Sequence, residues 1–455
     1  MVTKSAANLN QLLSLMTVAF NELSLGMTNG WIAPTLNMLQ NPSSELPITM
    51  EESSWIASLE NFGTIPAAVL AAFALDIIGR KFLLTSISLI LFLMWAVKIF
   101  TRSVLVLCLM QLLFGICVGI NNATNSLYLA EISSPYIRGV FGAVCVTSYY
   151  IGIFFEFIVA TYCSYTSTTI INTMVTFFAL ASVLWTKEPV QFLLMKGKYT
   201  QAEKNFAWLR GCNIDNENIQ MEFERIKQNV LAENLKKSSF KKTITSPANY
   251  KSLFIMITLY ALVGFTGFYP VMSYASMAFS SSDILTSNEF TILFGLGQAL
   301  AIVPSALFIG RFNRRTIILI SLSLIALSHS VTATFYYVNS NFVAIPYFPW
   351  LIFTSITFYA SVYAFVYPAI FIIRGELFPL SIKATGGCLS IVAYNMTNFF
   401  TTKVFLYISY HWGIEANFLL FCFMTLISTL FVYFFLPETK NKSLIEIQEM
   451  LEKTK

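Results

Sequence analysis

A chain of 455 residues that is 56% hydrophobic and 11% charged, with 42 phenylalanines, carries more apolar surface than a soluble core can hide. Its apolar runs have the length of helices, about 20 residues for the ~30 Å hydrocarbon layer, which excludes a barrel of short alternating strands. The formal net charge of +5 reads as the bias of Lys and Arg toward one side of a membrane, so a nucleic-acid partner has little support.

Taken in chain order, apolar stretches fall at 12–34, 55–75, 82–100, 104–130, 139–161 and 168–186, then at 252–278, 287–309, 315–337, 347–373, 384–409 and 414–436. They predict an all-α integral membrane protein with twelve transmembrane helices in two pseudo-symmetric six-helix bundles. The polar segments 40–54 and 279–288 read as loops. The expected division is an N-terminal bundle over 1–186, a cytoplasmic linker over 187–251, a C-terminal bundle over 252–436 and a cytoplasmic tail over 437–455. Within the linker, 200–209 and 219–231 carry apolar residues at helical spacing, such as Ile219, Phe223, Ile226 and Val230. That pattern describes amphipathic helices lying against the membrane face, as a tether between bundles or as a gating element.

Orientation follows from the basic residues. With both termini and the linker on one side, only Lys98, Arg102 and Lys403 of the 28 Lys and Arg fall elsewhere, so that side is expected to be cytoplasmic. The N-terminus lacks a small-residue cleavage site, so the first helix is expected to stay in the protein. The seven cysteines show no C-x-x-C spacing and read as packing residues. His329 and His411 are the only histidines. No nucleophile–base pair, metal-ligand spacing or phosphate loop is present in the sequence, so neither an enzyme nor a cofactor is expected.

One set of charges occurs twice beside the apolar stretches. Asp76-Ile77-Ile78-Gly79-Arg80-Lys81 is followed by Glu131 and then Arg138; Arg311-Phe312-Asn313-Arg314-Arg315 is followed by Glu376 and then Lys383. The first group, with the 128–139 segment, Gly375-Glu376-Leu377-Phe378-Pro379 and Leu436-Pro437-Glu438-Thr439-Lys440, resembles the signatures of the sugar porters of the major facilitator superfamily. In texture the chain is similar to the insect facilitated trehalose-transporter-like branch. The resemblance covers nearly the whole chain. It implies facilitative transport of a sugar, a hexose or a trehalose-like disaccharide, by alternating access at the plasma membrane, with a sugar substrate and the lipid bilayer as partners.

The resemblance also assigns roles. Asp76, Gly79, Arg80, Glu131, Arg138, Arg314, Glu376 and Lys383 would form a gate that bridges helix ends when the carrier opens outward and parts when it opens inward. Gln298, Asn395, Tyr274, Tyr269, Thr28, Pro368 and Phe371 would stand at the substrate site, with Tyr363 and Tyr367 adding aromatic surface. The departures are specific. Val263-Gly264 and Val146 replace the family's glutamines, Gly310 and Asn313 replace an acid and a glycine of the second loop motif, and Lys187-Glu188-Pro189-Val190-Gln191 replaces Pro-Glu-Ser-Pro-Arg. The gate is therefore expected to be thinner than usual. Thr28 and Gln111 stand where proton symporters of the family carry an acid and an arginine, which implies facilitated diffusion. Glu22 and Glu156 keep proton coupling open. A sugar sensor and a carrier of a less hydroxylated solute are the other readings.

Overall fold

The computed structural model describes residues 2–133, 138–211, 217–235, 247–279, 281–342, 344–379, 382–440, 442, 446–447 and 450. The first half holds α1 (Val2–Gly30), α2 (Ile32–Leu39), α3 (Met50–Ile78), α4 (Arg80–Phe100), α5 (Val104–Ile132), α6 (Arg138–Tyr162) and α7 (Tyr165–Val183). Three shorter helices follow, α8 (Val190–Met195), α9 (Tyr199–Arg210) and α10 (Glu217–Leu235). The second half holds α11 (Pro247–Gly264), α12 (Phe268–Ser273), α13 (Ala275–Ala278), α14 (Ser287–Arg311), α15 (Arg314–Asn341), α16 (Phe348–Leu377), α17 (Lys383–Trp412) and α18 (Ile414–Phe435).

Nine of these segments, counting 249–273 as one, are long and apolar enough to cross a membrane. The three that complete the expected twelve, α1, α3 and α17, are as long, at 29, 29 and 30 residues, but more polar. Their polarity is turned inward. Along α1 the residues Gln11, Ser14, Thr17, Asn21, Ser24 and Thr28 are buried while Leu12, Leu13, Met16 and Phe20 are exposed. This three-to-four spacing is helical amphipathicity turned inside out, because the surroundings are lipid and the polar stripe finds its partners within the protein. In α3, Ser54, Ser58, Glu60 and Asn61 are buried and Trp55, Phe62 and Leu70 exposed; α17 buries Asn395, Asn398 and Thr402 and exposes Met396, Phe400 and Tyr407.

The element ends follow local chemistry. The α3 helix starts at Met50, five residues before the apolar stretch, because Thr49 and Glu52 form a capping box that satisfies the first amides. The seventh stretch, expected as one helix over 252–278, is broken. It stops at Gly264, and Gly267 takes φ +80° with the Phe421 ring 2.4 Å from where a Cβ would stand, so only glycine fits. The carbonyl of Thr266 freed by the break accepts from His329 Nε2 at 3.0 Å and from the Tyr359 hydroxyl at 2.9 Å.

The linker helices pack on the first half. Val190, Leu193 and Leu194 of α8, Ala202, Phe206 and Leu209 of α9 and Phe223 and Val230 of α10 join one apolar cluster with Leu15, Leu84, Tyr128 and Ile132. The short α8 was not expected from the sequence; the side chain of Ile219 lies outside the described residues. Asn10 and Gln11 of α1 tie the cluster down by donating to the carbonyls of Trp208 (2.6 Å) and Leu209 (3.4 Å).

Candidate functional site

At one end of the molecule, the motif face, α3 gives way to α4 and α14 to α15. The two junctions are built alike. Arg80 Nη2 lies 3.1 Å from Glu131 Oε1, with both side chains 5% exposed, and its Nη1 donates to the Leu75 carbonyl at 2.9 Å. Arg314 Nη2 lies 3.6 Å from Glu376 Oε1, and its Nη1 donates to the Ile309 carbonyl at 2.6 Å. A third carboxylate completes each copy. Glu188 accepts the backbone amides of Arg80 (2.6 Å) and Lys81 (3.2 Å), and Glu438 accepts those of Arg314 (3.1 Å) and Arg315 (3.0 Å). Each caps a helix start whose first amides have no partner within the helix.

Glu188 and Glu438 were not among the gate residues expected from the sequence. The rewritten 187–191 segment read as a loss, yet its Glu188 does the same work as Glu438 in the well-matched tail. Glu376 also accepts from the Thr439 hydroxyl at 2.5 Å. The lost glycine of the second copy has a local explanation. Gly79 has φ +106°, and a Cβ there would stand 2.8 Å from Glu188 Oε1. Asn313 has φ −66°, which any residue adopts. Lys383 is exposed at the start of α17, and the side chains of Asp76 and Arg138 lie outside the described residues. The ion pairs join helices of one half each, Arg80 with Glu131 and Arg314 with Glu376, instead of joining half to half.

The halves meet at the opposite, far face. Asn37 donates to Asn288 Oδ1 at 3.1 Å, the Tyr162 hydroxyl donates to Glu289 at 3.2 Å, and Lys403 Nζ donates to the Ser54 hydroxyl at 2.8 Å while lying 3.7 Å from the Trp55 ring centroid. Phe399 of α17 packs against Trp55 and Phe62 of α3. At Gly295 of α14 an added Cβ would meet the Phe157 ring of α6 at 2.6 Å. Glycines near the motif face lack such contacts. A Cβ added at Gly139, Gly142 or Gly375 would meet nothing within 4 Å. Both the Arg80–Glu131 and the Arg314–Glu376 pair are formed in this structure.

Between the two faces lies a cluster of tyrosines. The hydroxyls of Tyr363 (α16) and Tyr394 (α17) are 2.8 Å apart, and Phe268 stacks on Tyr363 with ring centroids 4.2 Å apart. Tyr269, Tyr367 and Tyr260 surround Tyr394 at 6.1, 5.4 and 6.1 Å. Across from them, Tyr149 and Tyr150 of α6 form an edge-on pair, and Tyr150 lies within electrostatic reach of Tyr367. Tyr149, Tyr150, Tyr269 and Tyr367 are half-buried against the core.

The residues expected at a substrate site divide into three groups. Tyr269 and Pro368 are half-buried on this cluster's side and Phe371 is exposed beneath it. Gln298 and Asn395 are buried amides with little to do: among the described residues Gln298 Nε2 reaches only Met272 Sδ at 3.5 Å and its Oε1 has no partner, while Asn395 donates to its own helix at the Ile391 carbonyl (2.9 Å). Thr28 and Tyr274 are consumed in packing. Thr28 donates to the Ser24 carbonyl at 2.8 Å and accepts Trp95 Nε1 at 3.1 Å; Tyr274 is fully buried against Phe405.

The buried acids differ as well. Glu156 accepts Asn172 Nδ2 at 2.8 and 3.0 Å and is fully buried, near Lys98, whose Nζ lies 3.9 Å from the Trp31 centroid and 4.2 Å from that of Trp95. Glu60 takes both its bonds from Asn29 Nδ2, at 2.9 Å each. Glu22 is half-buried, with Asn121 donating to it at 3.0 Å and Asn125 donating to the same oxygen. Glu60 escaped the sequence reading, and Lys98 entered it only as a basic residue off the cytoplasmic side, although ionisable groups inside apolar stretches were the signal that found Glu22 and Glu156.

A family model described as "Sugar (and other) transporter" matches residues 15–451. A facilitated trehalose transporter of Apis mellifera ligustica is 25% identical over 443 residues, covering 96% of this chain and 87% of that protein. One from Bombyx mori is 24% identical over 446 residues, with 97% and 86% covered, and the sugar transporter ERD6-like 6 of Arabidopsis thaliana is 24% identical over 450 residues, with 98% and 91% covered. Among solved structures, the inward-open xylose transporter XylE from E. coli superimposes with a TM-score of 0.79 at 17% identity, covering 97% of this chain and 99% of that one. XylE bound to 6-bromo-6-deoxy-D-glucose, described as a major facilitator superfamily proton:xylose symporter, gives 0.74 at 18% identity, with 98% and 99% covered. These structures have the same fold as this chain.

Proposed function

The chain belongs to the sugar (and other) transporter family, and from that premise we propose that it is a facilitative carrier moving a hexose or a trehalose-like disaccharide across the plasma membrane. The reading divides the chain into a first bundle over 1–186, a linker over 187–251, a second bundle over 252–436 and a tail. One observation carries the alternating-access reading: the halves are joined at the far face by Asn37–Asn288 and Lys403–Ser54, while glycines of the motif face look onto open space. The excess of Lys and Arg around the motif face supports a cytoplasmic position for it and for both termini.

The tyrosine cluster supports a solute with both an apolar face and hydroxyls. Tyr269, Tyr367 and Phe371 offer aromatic faces for a pyranose ring, and Gln298 and Asn395 are buried amides with spare hydrogen-bonding capacity. Facilitated diffusion is supported by the neutral Thr28 and Gln111, both fully buried, and by the engagement of Glu156 with Asn172. A less hydroxylated solute is the second reading, favoured by Val263 and Val146 in place of amides.

The test is uptake of labelled glucose, trehalose and a polyol by cells that lack their own sugar carriers, with Gln298→Ala and Asn395→Ala as controls. Saturable uptake lost in either variant, and unchanged by a protonophore, is expected. Absence of uptake for every sugar would overturn the reading in favour of the second one.

A further inference from the structure

Among the described residues the ion pairs at the motif face, Arg80–Glu131 and Arg314–Glu376, each lie within one half, so these two pairs do not join the halves when that face closes. Two other charges are placed to do so. Arg374 belongs to a stripe of α16 that runs Tyr363, Tyr367, Phe371, Arg374, and its guanidinium carbon stands 4.6 Å from the Phe371 centroid and 5.8 Å from that of Tyr260. It is half-buried, and among the described residues it makes no ion pair. On the first half, Glu22 is half-buried too, held by Asn121 and Asn125 of α5, and it also makes no ion pair among the described residues.

The two charges stand at similar depth. The helices α1 and α6 touch backbone to backbone at Gly26 and Tyr149, and Tyr150 of the same α6 segment lies within electrostatic reach of Tyr367. Glu22 lies four residues from Gly26 toward the motif face, about 6 Å at the helical rise, and Arg374 lies seven residues from Tyr367 in the same direction, about 10 Å. In this structure both are half-buried, and no ion pair joins them among the described residues. Closing the motif face expels water from between the halves, and two charges left unpaired there would each lose their hydration. Pairing offsets that loss, and it is available only in the closed state.

We propose that Glu22 and Arg374 form an ion pair between the halves when the motif face closes, and so act as the inter-half latch of the transport cycle. The inference rests on the alternating-access reading but not on the identity of the solute. Glu22 comes pre-set by its two amides, which fix the carboxylate while leaving its second oxygen for the guanidinium.

Cysteine pairs 22/374 and 37/288, placed separately and together in the full chain in liposomes, test it without a substrate. Cross-links identified by mass spectrometry are expected for both pairs, and locking 37/288 first is expected to abolish the 22/374 link. Charge exchange is the second arm: Glu22→Arg and Arg374→Glu should each slow exchange of whichever solute is carried by about tenfold or more, and the double exchange should recover most of it. A 37/288 link with no 22/374 link, or a double exchange no better than the singles, would overturn the latch. A 22/374 link in a protein that carries no sugar would leave the latch standing and remove the sugar reading.

Discussion

Glu188 caps Arg80 from 108 residues away: its carboxylate accepts the Arg80 backbone amide at 2.6 Å and closes the first turn of α4. Glu438 stands in the same relation to Arg314, at 3.1 Å. A chain segment that follows the last helix of each half thus returns to the start of that half's third spanning helix, and fastens the loop motif from outside it.

The Glu188 carboxyl gives a pH prediction. Burial raises it above its ordinary 4.5, against the lowering pull of the Lys81 and Arg80 backbone amides. A carboxyl that holds its proton more tightly folded than unfolded makes stability fall as pH rises from that ordinary value through the raised one. The thermal midpoint of the wild type relative to Glu188→Gln should therefore decline across this window. A difference that is flat with pH would contradict the assignment.

The two Arg–Glu pairs should respond unequally. Arg80–Glu131 is 5% exposed on both sides, so Glu131→Ala leaves a buried guanidinium and should cost roughly 3–5 kcal/mol. Arg314–Glu376 is longer and 14% and 29% exposed, and Glu376→Ala should cost about 1 kcal/mol. Denaturation midpoints of the purified variants in one detergent rank them; equal losses would refute the difference in burial as the cause.

Glycine is demanded at one junction only. Gly79→Ala meets φ +106° and a carboxylate oxygen 2.8 Å from the new Cβ, and should cost about 1–3 kcal/mol and release Glu188. Asn313→Ala, at φ −66°, should fall within about 0.5 kcal/mol of wild type. Thermal midpoints of the two variants check this, and similar losses for both would count against it.

Lys98 places its Nζ between two indoles, and among the described residues that Nζ has no hydrogen-bond acceptor. Lys98→Met keeps the volume and removes the charge, and should leave the thermal midpoint unchanged or raise it. Lys98→Ala should cost about 2–4 kcal/mol of stability through the cavity it opens and lower the midpoint accordingly. Tryptophan emission should shift in both variants, because Trp31 and Trp95 lose the ammonium; an unshifted spectrum would rule out the contact.

Much of this architecture is legible in the sequence because lipid imposes one requirement on every helix. Apolar length marks the spans, and the doubled Arg–Glu order marks both junctions. What stayed hidden depends on which way a side chain turns. The stretch at 252–278 is apolar throughout, so composition could not reveal that Gly267 interrupts it. The Glu188 segment departs from the family pattern in letters while keeping the one atom group that matters. Tyr150, Tyr394 and Arg374 belong to no motif and stand near one another only through the packing of α6, α16 and α17, while the consumed hydroxyl of Thr28 depends on where Trp95 of α4 falls.

The break at Gly267 bears on how often a hydrogen bond has to be broken. In an unbroken helix, bending the far-face segment would open backbone bonds in every cycle, with no water nearby to replace them. Here the carbonyl of Thr266 already has His329 and Tyr359 as donors. The ten helical residues of α12 and α13 can then tilt about Gly267 while those two bonds stay made. The cost of bending was met once, when the chain folded, and turnover does not incur it again.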